Sequence, residues 1–368
     1  MSSRSCEVIK KLDKMYAKDF LWELLQTASP SGFEAPGQRV WANYMRTFAD
    51  EVSNDAYGNT WGTLHGDAKT PTVMLEAHAD EIGFMIHHIT STGLLYVRRV
   101  GGTDHAIARG KRVVFTGDLG VVVGVIGNTA IHIRDRDGEK MPKIHDLWVD
   151  IGADSKDEAE SRGLRIGQVG VYEDGPLELT SNRMIGRALD NRIGGYIIAE
   201  AMRRLKEAGK PFATVYALNA VQEEIGGNGA KMAAYRLHPS VALVVDVCHA
   251  TDTPGINALE HGEIKLGAGP TLSHGGANHP LVVEKLMEVA KNSGIILQHE
   301  AVSRYTGTDT DDIFVAKTGI PSALISLPMR YMHSTIEMID TRDVENIIQL
   351  MVGFVASVQQ EEQFVIKI

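Results

Sequence analysis

The 368-residue chain has two cysteines, Cys6 and Cys248, so it has no disulfide framework to hold it together. Cys6 lies beside the N-terminus and Cys248 follows a buried-looking apolar run, so the two are not expected to pair. Low thiol usage fits a reducing compartment. No apolar run approaches the ~20 residues of a membrane span. The opening Met1-Ser-Ser-Arg-Ser-Cys6 leads into charged residues and lacks the apolar core of a signal peptide. A cytoplasmic protein is expected, with no membrane partner. Basic charge is also short: 37 Lys and Arg stand against 47 Asp and Glu, a net charge of −10. No basic stretch compensates, which excludes an ordinary nucleic-acid binder. The same excess leaves carboxylate available for cations. Internal repeats and low-complexity segments are absent too.

The composition, 43% hydrophobic and 23% charged, is that of a soluble globular protein, and the length favours two domains. Residues Lys18 to Gln26 read as a helix. Ser31 and Glu34 read as a capping box opening a helix through about Phe48. Short strands are expected over Thr60 to Leu64 and Val73 to Ala77. After Gly83 the texture changes to short β-type runs: Leu94 to Val97, Arg112 to Phe115, Leu119 to Ile126, Ala130 to Ile133, Leu147 to Ile151 and Gln168 to Tyr172. One short helix is capped by Ser155 and Glu158. Such a series suggests a small barrel or sandwich. The α/β texture returns at Asp190, with a helix carrying Ile193, Ile197, Ala201 and Leu205. Strands are expected over Thr214 to Val221, Val241 to Val245, Ile295 to Leu297 and Ala323 to Leu327. Helices are expected near Gly229 to Tyr235, from Pro280 to Asn292 and from Thr341 onward. The expected organisation is an α/β domain over residues 1–83 and 180–368, interrupted by an all-β insert over 84–179.

Six residues with affinity for divalent metal sit at or just beyond the ends of separate apolar runs: His78, Asp80, Asp190, Glu224, Asp246 and His333. Ligands in open α/β sheets bind beyond the carboxyl ends of the strands, so one sheet edge is expected to gather them. Each residue alone has an ordinary explanation. His78 and Asp80 could be solvated polar groups at a strand end, Asp190 a helix cap, Glu223 and Glu224 a loop entry, and His333 a structural imidazole. Jointly they form an imidazole and carboxylate set without thiolate, which suits Zn²⁺, Co²⁺ or Mn²⁺. A two-metal centre, with ions ~3.5–4 Å apart, takes a bridging carboxylate plus one His and one further carboxylate per ion. The inventory fits that scheme: Asp190 bridging, His78 with Asp246, Glu224 with His333. Asp80 can ligate or orient the His78 ring. Neighbouring side chains on extended backbone point apart, so Glu223 and Glu224 should play different roles, which leaves Glu223 as general base.

The motifs His78-Ala-Asp80-Glu-Ile-Gly83, Gly186-Arg-Ala-Leu-Asp190-Asn-Arg192, Gln222-Glu-Glu-Ile-Gly226, Asp246-Val-Cys-His-Ala-Thr-Asp252-Thr-Pro254 and Tyr331-Met-His333-Ser334 together resemble the glutamyl aminopeptidase, or tetrahedral aminopeptidase, family. Some of its members carry the label cellulase M or endoglucanase. The match runs over nearly the whole chain in the family's order. The resemblance implies a zinc-peptidase-like α/β/α sandwich with a mixed central sheet, interrupted by an inserted β-barrel dimerisation domain. It implies two co-catalytic divalent ions at the residues assigned above, short peptide substrates, and dimers assembling into a tetrahedral dodecamer. It also implies a cis peptide after the bridging aspartate, here Asp190–Asn191. The Ser303 to Asp312 loop, with Gly307-Thr-Asp309, is expected to border the specificity pocket. The expected reaction is removal of N-terminal residues from peptides. Its rivals are a metal-dependent carboxypeptidase or deacylase, a glycoside hydrolase, whose two carboxylates must flank a sugar bond without metal, and a non-enzymatic scaffold.

Overall fold

The computed structural model describes residues 17–67, 71–134, 141–209 and 211–368; the expectations about Met1 to Cys6 lie outside them. Eight strands form one mixed sheet, in the spatial order Glu51–Asn54, Thr60–Leu64, Val215–Ala220, Val73–His78, Val241–His249, Ser322–Met329, Thr271–Gly275 and Gln298–Val302. The four central strands, Val215–Ala220 to Ser322–Met329, run parallel. Strands buried on both faces read as near-continuous apolar runs, and Ser322–Met329 is buried at all its positions.

Alternation along these strands separates two layers. Leu75, Leu243 and Ile325 enter a large core with the helices Ala35–Met45, Leu189–Ala208, Pro280–Ser293 and Thr341–Ser357. Trp41 is fully buried there, and its indole N–H donates to the Gly195 carbonyl at 2.8 Å. Burying a side chain of that area contributes about 4–6 kcal/mol. Met74, Val244 and Leu324 face a smaller core under the helix Asn228–Leu237 and Ile313. The result is the α/β/α sandwich with a mixed sheet. No helix among the described residues is long and apolar enough to cross a membrane.

The insert is a closed barrel of six antiparallel strands, Gly83–Ile89, Leu95–Val100, Arg112–Gly117, Gly120–Ile126, Trp148–Asp150 and Val169–Tyr172. It has its own core of Phe84, Leu95, Phe115 and Val149. The helix Lys156–Ser161 is capped as expected, Ser155 Oγ accepting the Glu158 N–H at 3.1 Å.

Some local expectations fail because tertiary packing overrides a local pattern. Ser31 and Glu34 form no capping box: Glu34 is the N-cap and its side chain makes no cap hydrogen bond. Ser31 Oγ donates instead to Asp80 Oδ2 at 2.5 Å, and Glu34 Oε1 accepts the Gln222 N–H at 3.2 Å. The strand expected at Ile295 to Leu297 begins only at Gln298. Ile295 is spent on ending the preceding helix: its N–H donates to the Ala290 carbonyl at 2.9 Å, past Gly294 in the left-handed region, while its side chain joins the core. Residues Ala130 to Ile133 form a turn, with Ile131 and Ile133 exposed, since a closed barrel has no free edge to pair them.

Candidate metal centre

The sheet splits at the carboxyl ends of two central strands. Val241–His249 pairs with Val73–His78 only as far as Val244 opposite Glu76. Beyond that point the Val245 carbonyl accepts from Asn191 Nδ2 at 2.8 Å. The divergence admits the start of the helix Leu189–Ala208 between the strands, which is how Asp190 reaches the sheet edge. The Asp190–Asn191 peptide is cis, as the resemblance implied. Asp246 does not end its strand. The strand continues to His249, and Asp246 sits within it opposite Ser326. Its carboxylate reaches the site because alternation places it on the same face as Val244 and because the neighbouring strand has already parted from it.

All the expected residues converge. Asp190 Oδ1 lies 3.2 Å from His78 Nε2, and its Oδ2 lies 3.4 Å from His333 Nε2. Asp246 Oδ1 is 3.7 Å from His78 Nε2, and Glu224 Oε1 is 3.4 Å from His333 Nε2. His78, Asp190 and Glu224 each offer a ligand atom within 4.8 Å of the others. Glu224 Oε1 is buried and makes no hydrogen bond. Such an orphaned oxygen among imidazoles is what a cation would satisfy. These residues line a cleft of about 500 Å³.

Asp80 does more than orient a ring. Its Oδ1 is 3.4 Å from His78 Nδ1, while Oδ1 and Oδ2 accept the N–H groups of Glu223 and Glu224 at 3.0 and 3.1 Å. Those two residues form a 3₁₀ turn, Glu223–Ile225, rather than the extended backbone expected for them. Their side chains still differ. Glu224 is 4% exposed and Glu223 15%, with Glu223 Oε2 3.9 Å from His78 Nε2. Glu223 is therefore the more open of the two toward the cleft.

The electrostatics record too much negative charge in too little water. Burial pushes Glu223 up to about 10, and Glu224 and Asp246 are raised for the same reason. Burial opposes a charged His78, but Asp190 and Asp80 outweigh it and hold the imidazole well above its ordinary value. The Asp190 and Glu224 carboxylates that face its ring lift His333 to about 11. Burial would raise Asp190, but the two imidazoles beside it bring it below the usual carboxylate range. A divalent cation would replace those protons.

Two residues beside the centre were not marked by the sequence. Glu337 is fully buried; its Oε2 accepts the Asp190 N–H and its Oε1 the His333 N–H, both at 3.1 Å. It thus ties together the backbones of the two residues that face each other across the centre. The spacing His333-Ser-Thr-Ile-Glu337 was visible, but nothing local marked the acid as buried. Gly102 was missed as well. It belongs to the insert, and a Cβ there would lie 2.4 Å from His333 Nδ1, so the insert forms one wall of the site. Of the seven non-glycine residues with positive φ among those described, Ala188, Gln222, Tyr331 and His333 flank the centre, as expected where structure is bent to a function.

Imidazoles and carboxylates without thiolate, at the carboxyl edge of an α/β/α sandwich, define the class of a hydrolytic metal centre. The model of the M42 glutamyl aminopeptidase family matches residues 58–350. The lysyl aminopeptidase of Pyrococcus furiosus is 36% identical over 338 residues, covering 89% of this chain and 95% of its own. Among solved structures, a TET aminopeptidase from a marine sediment Thaumarchaeota archaeon superposes with a TM-score of 0.89 at 33% identity, over 95% of this chain and 98% of its own. The Pyrococcus horikoshii TET1 peptidase, which can assemble into a tetrahedron or a large octahedral shell, gives 0.82 at 27% identity, over 93% and 100%. The chain belongs to the M42 glutamyl aminopeptidase family. It is a metal-dependent aminopeptidase, a hydrolase of peptide bonds.

Two outcomes follow from the geometry. Glu337→Gln keeps one acceptor and sets an amide N–H against a backbone N–H, so Co²⁺ or Zn²⁺ affinity should fall about 10- to 100-fold in calorimetric titration of a folded variant. Unchanged affinity would remove the clamp. Because both imidazoles and the Glu223 carboxyl are held above their ordinary values in the metal-free chain, cation binding should displace protons. Apparent affinity should therefore rise from pH 5 to pH 8, with buffer-dependent heats that count the protons; a flat profile would contradict the charge state described.

Proposed function

We propose that this aminopeptidase removes N-terminal residues from short peptides at a centre of two divalent cations. Asp190 would bridge the ions, His78 and Asp246 would hold one, and Glu224 and His333 the other. The observation that carries this is Asp190, which turns one carboxylate oxygen to each imidazole. Bound there, Zn²⁺, Co²⁺ or Mn²⁺ supplies Lewis acidity toward a peptide carbonyl and makes water more acidic. Glu223, on the cleft side of its turn, takes the proton of the attacking water and returns it to the departing amine. Asp80 keeps the His78 ring and the Glu223 backbone in register with each other. Glu337 holds the two facing residues from behind.

The barrel carries a surface suited to self-association, in keeping with the oligomers that the TET1 peptidase forms. Along Gly120–Ile126 and just before it, Leu119, Val121, Val123 and Val125 are all exposed, an apolar row of alternate residues on one barrel face. A row of that kind marks an interaction surface, and a second copy of the chain is the occupant we assign to it.

Glu223→Gln should lower kcat on aminoacyl-p-nitroanilides by about 10²- to 10⁴-fold while metal titration still finds both ions. Near wild-type turnover would remove Glu223 as base, and turnover of these substrates that survives EDTA would remove the metal centre. For the assembly, light scattering should give a mass above one chain, and Val121→Glu with Val123→Glu should reduce it. A wild-type monomer would end that assignment.

A further inference from the structure

We propose that Glu300 makes the enzyme selective for a basic N-terminal residue, lysine or arginine. This rests on the aminopeptidase function and concerns the far end of the same cleft. The cleft runs unbroken from Glu224 and His333 to Glu300. Along Gln298–Val302, His299 and Ala301 are exposed to the outside, while Glu300 is partly buried and lines the cleft. Its partner is a hydroxyl: Ser273 Oγ donates to Glu300 Oε2 at 3.2 Å. Among the described residues no Lys or Arg lines the cleft, and no cation pairs with Glu300. Four other acids of the cleft, Asp190, Glu223, Glu224 and Asp246, gather at the metal centre. Glu300 is left as a carboxylate with nothing of opposite charge to meet.

Distance sets which side chains can meet it. From the Asp246 strand to the Glu300 strand there are three steps across the sheet, through Ser322–Met329 and Thr271–Gly275. At about 4.8 Å per step this is roughly 14 Å. With the peptide's N-terminal residue at the metal centre, a short side chain stops well before Glu300. The four-carbon stem of lysine, or the guanidinium of arginine, closes the gap to an extended carboxylate. The cleft suits such a stem, since Val247, Leu324 and Met332 are among its lining and an aliphatic stem buries well against apolar walls. Ser326 Oγ, buried in the lining without a partner, can accept from the incoming cation. An acidic N-terminal side chain would meet a carboxylate instead, with no arginine to receive it.

The test uses the metal-loaded wild-type enzyme and lysyl-, arginyl-, leucyl- and glutamyl-p-nitroanilide. Lysyl and arginyl substrates should have the highest kcat/KM and glutamyl the lowest. In Glu300→Gln the lysyl-to-leucyl ratio of kcat/KM should fall about 10- to 100-fold, the range expected for a charge-assisted hydrogen bond. The change should lie mainly in KM, because a remote group binds ground and transition states alike. Glu300→Asp, shorter but charged, should restore part of the ratio. A wild-type ratio near one overturns the proposal. So does a Glu300→Gln variant that loses all substrates equally, since Glu300 would then serve the α-amine or the fold. Absence of turnover on every substrate would overturn the aminopeptidase function itself, and this proposal with it.

Discussion

The structure depends on one carboxylate shared between two imidazoles. Asp190 is buried, faces His78 with one oxygen and His333 with the other, and has Asp246 and Glu224 alongside. Like charges that close, held away from water, repel strongly. The chain accepts this cost here and surrounds it with donors. Asp80 engages the Glu223–Glu224 turn, and Glu337 engages the Asp190 and His333 backbones. Both supporting groups are themselves buried acids, each satisfied by backbone N–H donors. A site of this kind is stable in its charged form only with cations in it, which links its occupancy to its rigidity.

The sheet contributes the position. Four parallel strands bring their carboxyl ends to one edge, and the early parting of Val73–His78 from Val241–His249 opens that edge to the Leu189–Ala208 helix. One face of the sheet is covered by long helices; the other, on which Asp246 and Ser326 lie, is covered lower down by Asn228–Leu237 and left open above as the cleft. The barrel closes one side through Gly102. Catalytic centre, side-chain path and Glu300 then lie along one sheet edge, so selectivity can change at the outer strand without disturbing the metal residues.

Much of this was legible in the chain. Apolar runs ending in His, Asp or Glu pointed to one sheet edge, and the change of texture after Gly83 pointed to an inserted β unit, because hydrophobic period and turn residues are local properties. The motif order pointed to the family. Less legible were features whose partners are distant. Ser31 and Glu34 have the form of a capping box, yet each bonds to a segment far along the chain. Ile295 reads as strand, yet it seals a helix end. Glu337 looks like any surface acid four residues after a histidine, and only its two backbone donors set it apart.

By itself the sequence determined which residues could bind metal, the fold class that presents them, and the excess of acid that a cation must offset. Those follow from side-chain chemistry and from periods of two and four residues. Tertiary structure alone decided that Asp190 would face both imidazoles, that Asp246 would enter the site from mid-strand, and that Glu300 would stand uncompensated at the cleft's far end. Each depends on how strands far apart in the chain align across a sheet, and strand register is fixed by packing over the whole domain rather than by any local run of residues.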